Sequence, residues 1–201
     1  MTFLRGIEEI PNYLEEINNN FEKRLKGLRE YLVKKDIKNL VFVASGSSYN
    51  SAKITRSLTQ KIDIHTEYLY PNDFVNYTKN FNKKSLYIFI SQSGKTKLVL
   101  KAVQKAKQLG LFHCSITSSE DSPLAQESDI FVDMGCGNEE FLFRTIGVST
   151  SILTCCQIAL CISKKCNYDY YKEDIELAIK NLEFINIATK NWYSENKFKI
   201  L

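Results

Sequence analysis

The sequence lacks the residue patterns of several large classes of protein. Its 201 residues include only two histidines, and none of its six cysteines has C-x-x-C spacing. The spacing of ligands that hold a structural metal ion is therefore missing. No apolar run approaches the roughly 20 residues that cross a bilayer. We expect no metal site and no membrane-spanning segment, and nothing in the pattern calls for a cofactor.

Basic residues outnumber acidic ones, but they are scattered along the chain. The formal net charge is +4, and the lysine pairs at 34–35, 83–84 and 164–165 fall at the ends of predicted elements. Such positions are typical of solvated charges. A basic stripe with interleaved aromatic residues, which marks nucleic-acid binding, does not occur. We therefore expect no nucleic-acid partner.

The first residues do not have the pattern of a signal sequence. Met1 to Gly6 lead directly into an amphipathic helical pattern, which is unlike a charged segment followed by an apolar one. We expect a cytoplasmic location, and the cysteines are then interpreted as reduced thiols. His65 and His113 both fall in strand-like segments, where a packed or edge-strand histidine is the simpler interpretation.

Apolar runs alternate with helical patterns through most of the chain. Two of the predicted strands, 40–44 and 86–90, are apolar almost throughout, which is typical of parallel strands covered on both faces. The alternation predicts a doubly wound α/β domain, in which ligands bind beyond the carboxyl ends of the strands. The five predicted strands are 40–44, 64–69, 86–90, 112–117 and 129–134.

Helical periodicity marks both ends of the chain. Apolar residues from Ile10 to Leu32 recur three and four positions apart, which predicts one long helix. Further helices are expected at 48–60, 71–77, 96–109 and 145–163, and a last amphipathic helix carries Ile175 to Trp192. We interpret 193–197 as a polar hinge and Phe198–Leu201 as the first residues of a strand.

Two turns rich in hydroxyl groups follow predicted strands. Ser91-Gln92-Ser93-Gly94-Lys95-Thr96 follows one strand, and Ser45-Gly46-Ser47-Ser48-Tyr49 follows another. Each precedes a helix, and the N-terminus of a helix presents unpaired N–H groups and a partial positive charge that attract phosphate. Serine and threonine also cap helices without any ligand, so both interpretations stay open. The pair of turns favours a phosphorylated, hydroxyl-bearing ligand.

Neither turn matches a nucleotide-binding motif. The G-x-x-x-x-G-K-[ST] spacing of a P-loop is absent, as is the G-x-G-x-x-G of a dinucleotide-binding turn. The motifs instead resemble those of the sugar isomerase (SIS) domain family. The resemblance lies in strand-S-G-S-S-Y, in strand-S-Q-S-G-x-T, and in Glu139 followed by Arg144-Thr145-x-Gly147, and it covers about 7–159. It is greatest to the amino-terminal half of two-domain members, such as glucosamine-6-phosphate synthase and the fructosamine-6-phosphate deglycases.

The resemblance implies a fold, a ligand and site residues. The sheet would have five parallel strands in the flavodoxin-like order, with extra helices at both ends. The segments would be an N-terminal helix at 1–36, an SIS domain at 37–165, and at 166–201 a C-terminal helix with the start of a missing second domain. The residues implied to bind a phosphosugar are Ser91, Gln92, Ser93, Thr96, Gly46, Ser47, Ser48 and Thr145.

Catalytic groups are harder to assign. The acid–base residues of the isomerases and deglycases lie in the second SIS domain, and no position here matches them. Glu139 and Glu140 are the local candidates for a base, although a loop carboxylate exposed to water is the simpler interpretation. Three hypotheses stay open: half of an isomerase or deglycase acting on ketose or amino-sugar 6-phosphates, a non-catalytic phosphosugar sensor, and a degenerate remnant. We expect a homodimer or pairing with a second SIS domain.

Overall fold

The computed structural model describes residues 3–33, 35–137, 139, 144–163 and 168–200. The helices are α1 (Phe3–Asn19), α2 (Phe21–Val33), α3 (Gly46–Ile54), α4 (Arg56–Lys61), α5 (Pro71–Asn76), α6 (Lys97–Gln108), α7 (Pro123–Glu127), α8 (Ile146–Ile162) and α9 (Tyr168–Ile200). The strands are β1 (Asn39–Ala44), β2 (His65–Leu69), β3 (Ser85–Ile90), β4 (His113–Thr117) and β5 (Ile130–Asp133). Each predicted strand boundary lies within one residue of the observed one.

The five strands form one parallel sheet in the order β2-β1-β3-β4-β5. The predicted doubly wound α/β fold is therefore confirmed. The strand order reverses between β1 and β3, where Ala44 and Ile90 are register partners. The turns that follow these two residues therefore start side by side at the switch point, where doubly wound proteins bind ligands.

The core lies on both faces of the sheet. Alternate residues of a strand point to opposite faces, and Phe42 and Ile88 pack in one apolar cluster while Val43 and Phe89 pack in the other. All six residues of β3 are buried. This burial on both sides explains why the strand sequence is apolar throughout.

The predicted N-terminal helix is divided in two. α1 ends at Asn19 and α2 begins at Phe21, although the N–H of Asn20 still donates to Glu16 O at 3.0 Å and that of Arg24 to Asn20 O at 2.9 Å. The predicted helix 48–60 is likewise divided at Thr55. Its hydroxyl donates to Ala52 O at 2.7 Å, and such a bond competes with the regular helical pattern.

The C-terminal segment differs from the prediction. α9 continues through Ile200, so the proposed hinge 193–197 and the described part of the proposed strand are helical. The interpretation of 198–200 as a strand start was wrong, because three residues cannot distinguish the two periodicities. Among the described residues, no helix combines the length and the apolar character needed to span a bilayer.

Candidate functional site

The turn after β3 is tightly folded. The N–H of Gly94 donates to Ser91 O at 2.9 Å, and the hydroxyl oxygens of Ser91 and Thr96 lie 2.9 Å apart. Gly94 has a φ of 63°, which favours glycine because other residues are strained there. Ser91 is buried, whereas Ser93 and Thr96 are exposed. The turn therefore presents two hydroxyl groups to solvent at the start of α6.

α6 begins without a side-chain cap. Thr96 occupies the N-cap position in an extended conformation, but its side chain makes no capping hydrogen bond. The Ser93 hydroxyl instead accepts from Lys95 N at 3.3 Å within the turn. The first N–H groups of α6 thus lack the side-chain acceptor that often occupies this position, which suits an anionic ligand.

Neighbouring segments fix the position of the turn. The carbonyl oxygen of Gln92 accepts from the hydroxyls of Thr117 at 3.1 Å and Ser118 at 2.8 Å, at the carboxyl end of β4. A Cβ atom on Gly94 would lie 2.3 Å from the Ser122 hydroxyl oxygen. The backbone therefore packs directly against the loop after β4, which leaves no room for a side chain.

Glu139 is buried, with 6% of its surface exposed. This corrects the interpretation of a loop carboxylate exposed to water. One carboxylate oxygen accepts from Thr145 N at 2.6 Å, Thr145 Oγ1 at 3.0 Å and Ile146 N at 3.0 Å. The other accepts from Gly147 N at 3.1 Å and from Gln92 Nε2 at 3.0 Å. Glu139 thus fills the anion position at the N-terminus of α8.

The surroundings of Glu139 favour its charged form. Burial on its own raises the pKa of a carboxyl group, but the hydrogen bonds from Thr145, Gln92 and Gly147 outweigh that effect and hold the pKa below its ordinary value. The partial positive charge of the α8 N-terminus acts in the same direction. A carboxylate held in this way is a weak proton acceptor. Its hydrogen bonds instead anchor the N-terminus of α8 to Gln92.

Gln92 joins the turn to α8. While its amide nitrogen donates to Glu139, its amide oxygen lies where a Cβ on Gly147 would approach within 2.3 Å. Glycine at 147 therefore leaves the space that the Gln92 side chain occupies. Gly147 thus has a packing role that its position in the sequence motif did not indicate.

A polar cavity of about 350 Å³ opens beside the turn. This volume is near the lower end of the usual range for small-molecule sites, which is about 300–1,000 Å³. The walls come from the turn after β3, the loop after β4 and the described residues between β5 and α8. The lining residues are Gln92, Ser93, Lys95, Ser118, Ser119, Asp121, Ser122, Gly137, Glu139 and Arg144.

The predicted site residues divide into three groups. Gln92, Ser93 and Glu139 line this cavity, and Ser91 and Thr96 lie in the same turn without lining it. Thr145 donates its hydroxyl to Glu139, which ties it to the α8 N-terminus. The third group, Gly46, Ser47 and Ser48, follows β1.

The turn after β1 lies beside the cavity region without lining it. Gly46 has a φ of 59°, and Ser45 caps α3 without a side-chain hydrogen bond. Ser47 is exposed and Ser48 is half-buried. The second turn thus shares with the first a glycine at positive φ and an N-cap without a side-chain hydrogen bond, but it contributes no wall to the cavity. Glu140 lies outside the described residues.

Several cavity residues were not predicted as site residues from the sequence. Ser119 and Asp121 belong to the loop after β4, to which the sequence assigned no binding residue, and Lys95 was named only as part of its motif. The position of this loop could have indicated its role, because it follows the carboxyl end of β4, which is adjacent to β3 in the sheet.

The described residues contain no group of three or more His, Cys, Asp or Glu side chains that could hold a metal ion. His113 is buried, and both its ring nitrogens face backbone oxygens, of Leu111 at 2.8 Å and Glu127 at 3.3 Å. His65 begins β2, on the rim opposite the cavity. Both histidines are thus distant in the fold from the cavity walls.

The comparisons with known proteins agree on one family. The model of the SIS domain matches residues 35–161. A glutamine–fructose-6-phosphate aminotransferase (isomerizing) of Wigglesworthia glossinidia brevipalpis is 30% identical over 165 residues, which are 77% of this chain and 24% of the relative. A fructoselysine 6-phosphate deglycase of Escherichia coli K12 is 25% identical over 128 residues, covering 63% and 38%. The chain therefore spans only a quarter to two fifths of these relatives.

Solved structures show the same fold. The structure of a candidate phosphosugar isomerase from Clostridium difficile 630 has a TM-score of 0.86 and 23% identity, and the match covers 99% of this chain and 58% of that one. Its similarity confirms the architecture of the sheet and its flanking helices. The fold that the resemblance implies is thus confirmed.

Proposed function

Because the chain belongs to the SIS domain family, we propose that it binds a sugar phosphate with the turn Ser91–Thr96 and the adjoining cavity. One observation carries the proposal: an uncapped helix N-terminus, exposed hydroxyls and a polar cavity meet at the carboxyl rim of β3. The names of the two relatives refer to fructose 6-phosphate and to fructoselysine 6-phosphate. We therefore assign a ketose or amino-sugar 6-phosphate as the ligand class.

The phosphate is proposed to bind at the start of α6. A phosphate dianion needs several aligned donors, and each charge-assisted hydrogen bond contributes about 1.5–3 kcal/mol. Ser93 and Thr96 offer exposed hydroxyls, and the N–H groups of the first helical turn add backbone donors. Ser91 orients Thr96 through their shared hydrogen bond.

The sugar is proposed to extend from the phosphate toward both neighbouring turns. Gln92 and the loop after β4 contact it inside the cavity, while Gly46, Ser47 and Ser48 approach from the β1 side. The register pairing of Ala44 with Ile90 supports this, since it brings the two turns together. Thr145 acts through Glu139 rather than by direct contact, because its hydroxyl is already donated to that carboxylate.

For the reaction, we propose that this chain supplies the binding half of an isomerase or deglycase. The described cavity walls include no histidine, and the carboxylate of Glu139 is held by five donors. A general base must reach the proton it removes and must have a suitable pKa. Turnover therefore requires groups from a second SIS domain, and a phosphosugar sensor without catalysis is the alternative that these same features favour.

Calorimetric titration of the purified chain tests the binding proposal. We expect fructose 6-phosphate or glucosamine 6-phosphate to bind, and fructose, the matched ligand without phosphate, to give no measurable heat. Equal behaviour of the phosphorylated and unphosphorylated sugars would overturn the proposal. We further expect little or no isomerisation by the chain alone, and rapid conversion of either sugar phosphate would contradict the assignment of a binding half.

We also propose that two copies of the chain associate through α9. This helix exposes large apolar side chains, with Phe184 at 73% and Trp192 at 56%. The match to the Clostridium difficile structure covers little more than half of that chain, so related folds occur within larger polypeptides. A second copy would cover these apolar side chains, as a second SIS domain would.

Sedimentation velocity tests the association. We expect a dimer at micromolar concentration, and Phe184→Ser should shift the protein toward monomer. Val33→Ser is the matched control, because Val33 is 86% exposed on α2, away from α9. A wild-type monomer at all concentrations, or equal effects of the two substitutions, would exclude this interface.

A cytoplasmic location remains part of the proposal. The free thiols among the described residues, of which Cys114, Cys136 and Cys155 are buried, support a reducing compartment. Fractionation of the native host, with the chain recovered in the cytosolic fraction, is the expected result.

A further inference from the structure

We infer that Lys97 and Lys101 form a capture patch on α6 that speeds the arrival of a phosphate dianion at the turn Ser91–Thr96 without contacting the bound ligand. The inference rests on the proposed function, because it takes that turn as the phosphate site. It goes further by assigning a kinetic role to two residues that do not line the cavity.

The two lysines share the solvent face of α6. The opposite face consists of the buried residues Val99, Ala102, Val103 and Ala106. A helix turns by about 100° per residue, so positions 97, 101, 104 and 108 come together on the other side. All four are exposed, and they are two lysines and two glutamines. The solvent face of this helix therefore carries positive charge and no acid.

Neither lysine of the patch is neutralised by the fold. The ammonium groups of Lys97 and Lys101 make no hydrogen bond or ion pair with any residue that the structure describes. The other two lysines of α6 are engaged. Lys105 donates to two backbone carbonyl oxygens of α5 at 2.7 and 3.2 Å, and Lys107 pairs with Glu127 at 3.1 Å. The charge left for a ligand therefore lies in the first half of the helix.

The patch begins where the proposed phosphate site ends. Lys97 is the first residue of α6 and directly follows Thr96, and Lys101 lies one turn further, about 6 Å along the axis. The Debye length is about 10 Å at 0.1 M salt. Both charges can therefore act through water on a dianion that approaches the turn.

The cavity beside the turn does not cancel this charge. Its lining includes two acids, Asp121 and Glu139, and two cations, Lys95 and Arg144. The charged groups of the cavity thus balance one another, and the two lysines of the patch are in excess.

The positions of these lysines are unfavourable for the helix itself. A cation in the first turn opposes the partial positive charge of a helix N-terminus, and like charges four residues apart repel each other. Lys97 has the first effect and its pairing with Lys101 has the second, while the first turn contains no acid. Folding therefore does not account for lysine at these positions, whereas attraction of an anion does.

A capture patch has a specific kinetic signature. Opposite charge around a site raises the rate of encounter and is screened by salt, whereas a group that contacts the ligand mainly determines how fast the ligand leaves. Neutralising the patch should lower the association rate and leave the dissociation rate unchanged. Ser93→Ala, which removes a proposed contact, should instead raise the dissociation rate.

Calorimetry and phosphorus-31 NMR together measure both rates. Titration with fructose 6-phosphate gives Kd, the line shape of its phosphorus resonance gives the dissociation rate, and that rate divided by Kd is the association rate. At about 0.1 M salt we expect Lys97→Gln to slow association about twofold, and Lys97→Glu combined with Lys101→Glu about tenfold. At about 1 M salt, where the Debye length is about 3 Å, both differences should vanish.

Lys83→Gln is the matched control. Lys83 is exposed in the turn before β3, and the six residues of that strand separate it from the phosphate-binding turn by about 20 Å. The substitution removes the same unit of charge as Lys97→Gln, but at the opposite rim of the sheet. It should leave both rates unchanged.

Thermal denaturation provides a second readout. Because an acid in the first turn complements the helix dipole, Lys97→Glu should raise the melting temperature by about 1–3 °C while it slows association. A fall in the melting temperature would show that Lys97 serves folding and would overturn the patch.

The kinetic outcomes separate this inference from the proposed function. If fructose 6-phosphate binds and the Lys97 and Lys101 variants keep the original association rate, or lose affinity through faster dissociation, the patch is excluded and the proposed function stands. If fructose 6-phosphate does not bind the unsubstituted chain, both fail. Equal slowing by Lys83→Gln would show that only the net charge matters and would overturn the residue assignment.

Discussion

The side-chain amide of Gln92 donates a 3.0 Å hydrogen bond to the carboxylate of Glu139, which lies 47 residues further along the chain. Gln92 belongs to the turn after β3, and Glu139 caps the N-terminus of α8. The bond therefore connects the proposed phosphate-binding turn to the residue that caps α8 and lines the same cavity. A change at either residue should affect both stability and binding.

Replacing Glu139 with glutamine should destabilise the fold. The amide keeps one acceptor oxygen, but its NH₂ group would face backbone N–H groups that now bond to a carboxylate. We expect the free energy of unfolding in urea to fall by about 1–3 kcal/mol, the cost of leaving buried donors without a partner. Glu120→Gln, at an exposed loop position, is the control and should change stability by less than about 0.5 kcal/mol. Equal effects of the two substitutions would contradict the capping role.

The same carboxylate predicts how stability depends on pH. The pKa of Glu139 is lower in the folded chain than its ordinary value, so its contribution is fully present at neutral pH. Stability should be lost as the pH falls below about 4.3, the ordinary value for a glutamate, toward the lower folded pKa. Urea midpoints measured from pH 7 to pH 3 should therefore fall less steeply for Glu139→Gln than for the wild-type chain. If the urea midpoints of both proteins fell equally with pH, Glu139 would make no pH-dependent contribution to stability.

Gly94→Ala should be strongly destabilising. The new methyl group would lie 2.3 Å from Ser122 Oγ and 2.8 Å from Thr117 Oγ1, at a backbone φ of 63°. Strain at such a φ alone costs about 1–3 kcal/mol. Gly27→Ala is the control, since nothing lies within 4 Å of the added atom, and alanine in a helix should stabilise by up to about 1 kcal/mol. In thermal denaturation we expect the melting temperature to fall for Gly94→Ala and to rise for Gly27→Ala. An unchanged melting temperature for Gly94→Ala would rule out the close packing of the turn.

Ser93→Ala and Thr96→Ala should each weaken sugar-phosphate binding about tenfold or more, because each removes a hydroxyl donor to a dianion. Thr66→Ala, on β2 with its hydroxyl donated to Ile64 O, should leave affinity unchanged. Calorimetric titration with fructose 6-phosphate measures all three. Unchanged affinity in both turn variants would count against the assigned phosphate position.

Four of the five described cysteines should react slowly in the folded chain. Burial raises the pKa of the Cys136 thiol to about 12 and that of Cys156 to about 11, and it raises those of Cys114 and Cys155 as well. The thiolate is the reactive form. Iodoacetamide at pH 8, followed by peptide mass mapping, should label these four residues at least about a hundredfold faster in guanidinium than in buffer. Labelling of Cys155 at similar rates in both conditions would contradict its burial.

The sheet could be predicted to within one residue because burial on both faces leaves a direct trace in the sequence. β3 is apolar from Leu86 to Ile90 and is bounded by serines at both ends. Helix interruptions leave a weaker trace. The apolar spacing of Ile17, Phe21 and Leu25 continues across Asn20, so periodicity alone could not report the break. The division at Thr55 depends on a hydroxyl bond that only the folded backbone specifies.

The candidate site could be predicted where its residues are consecutive, and not where they meet across the fold. Ser91 to Thr96 form one motif, and the structure folds them into one turn. Glu139 appeared to be an exposed loop acid, because its partners at Gln92 and at the start of α8 come together only in three dimensions. Asp121 was interpreted as an ordinary loop residue for the same reason.

The strands all run in one direction, so the cavity lies at the carboxyl rim of the sheet and the amino rim lies away from it. The turns that contain Asp63 and Gly110, with φ angles of 61° and 62°, precede β2 and β4 on the rim opposite the cavity. A Cβ atom on Gly110 would meet nothing within 4 Å. A fluorescent dye or surface tether attached at this loop would therefore leave the ligand entrance open, so the chain could report sugar phosphates as an immobilised sensor.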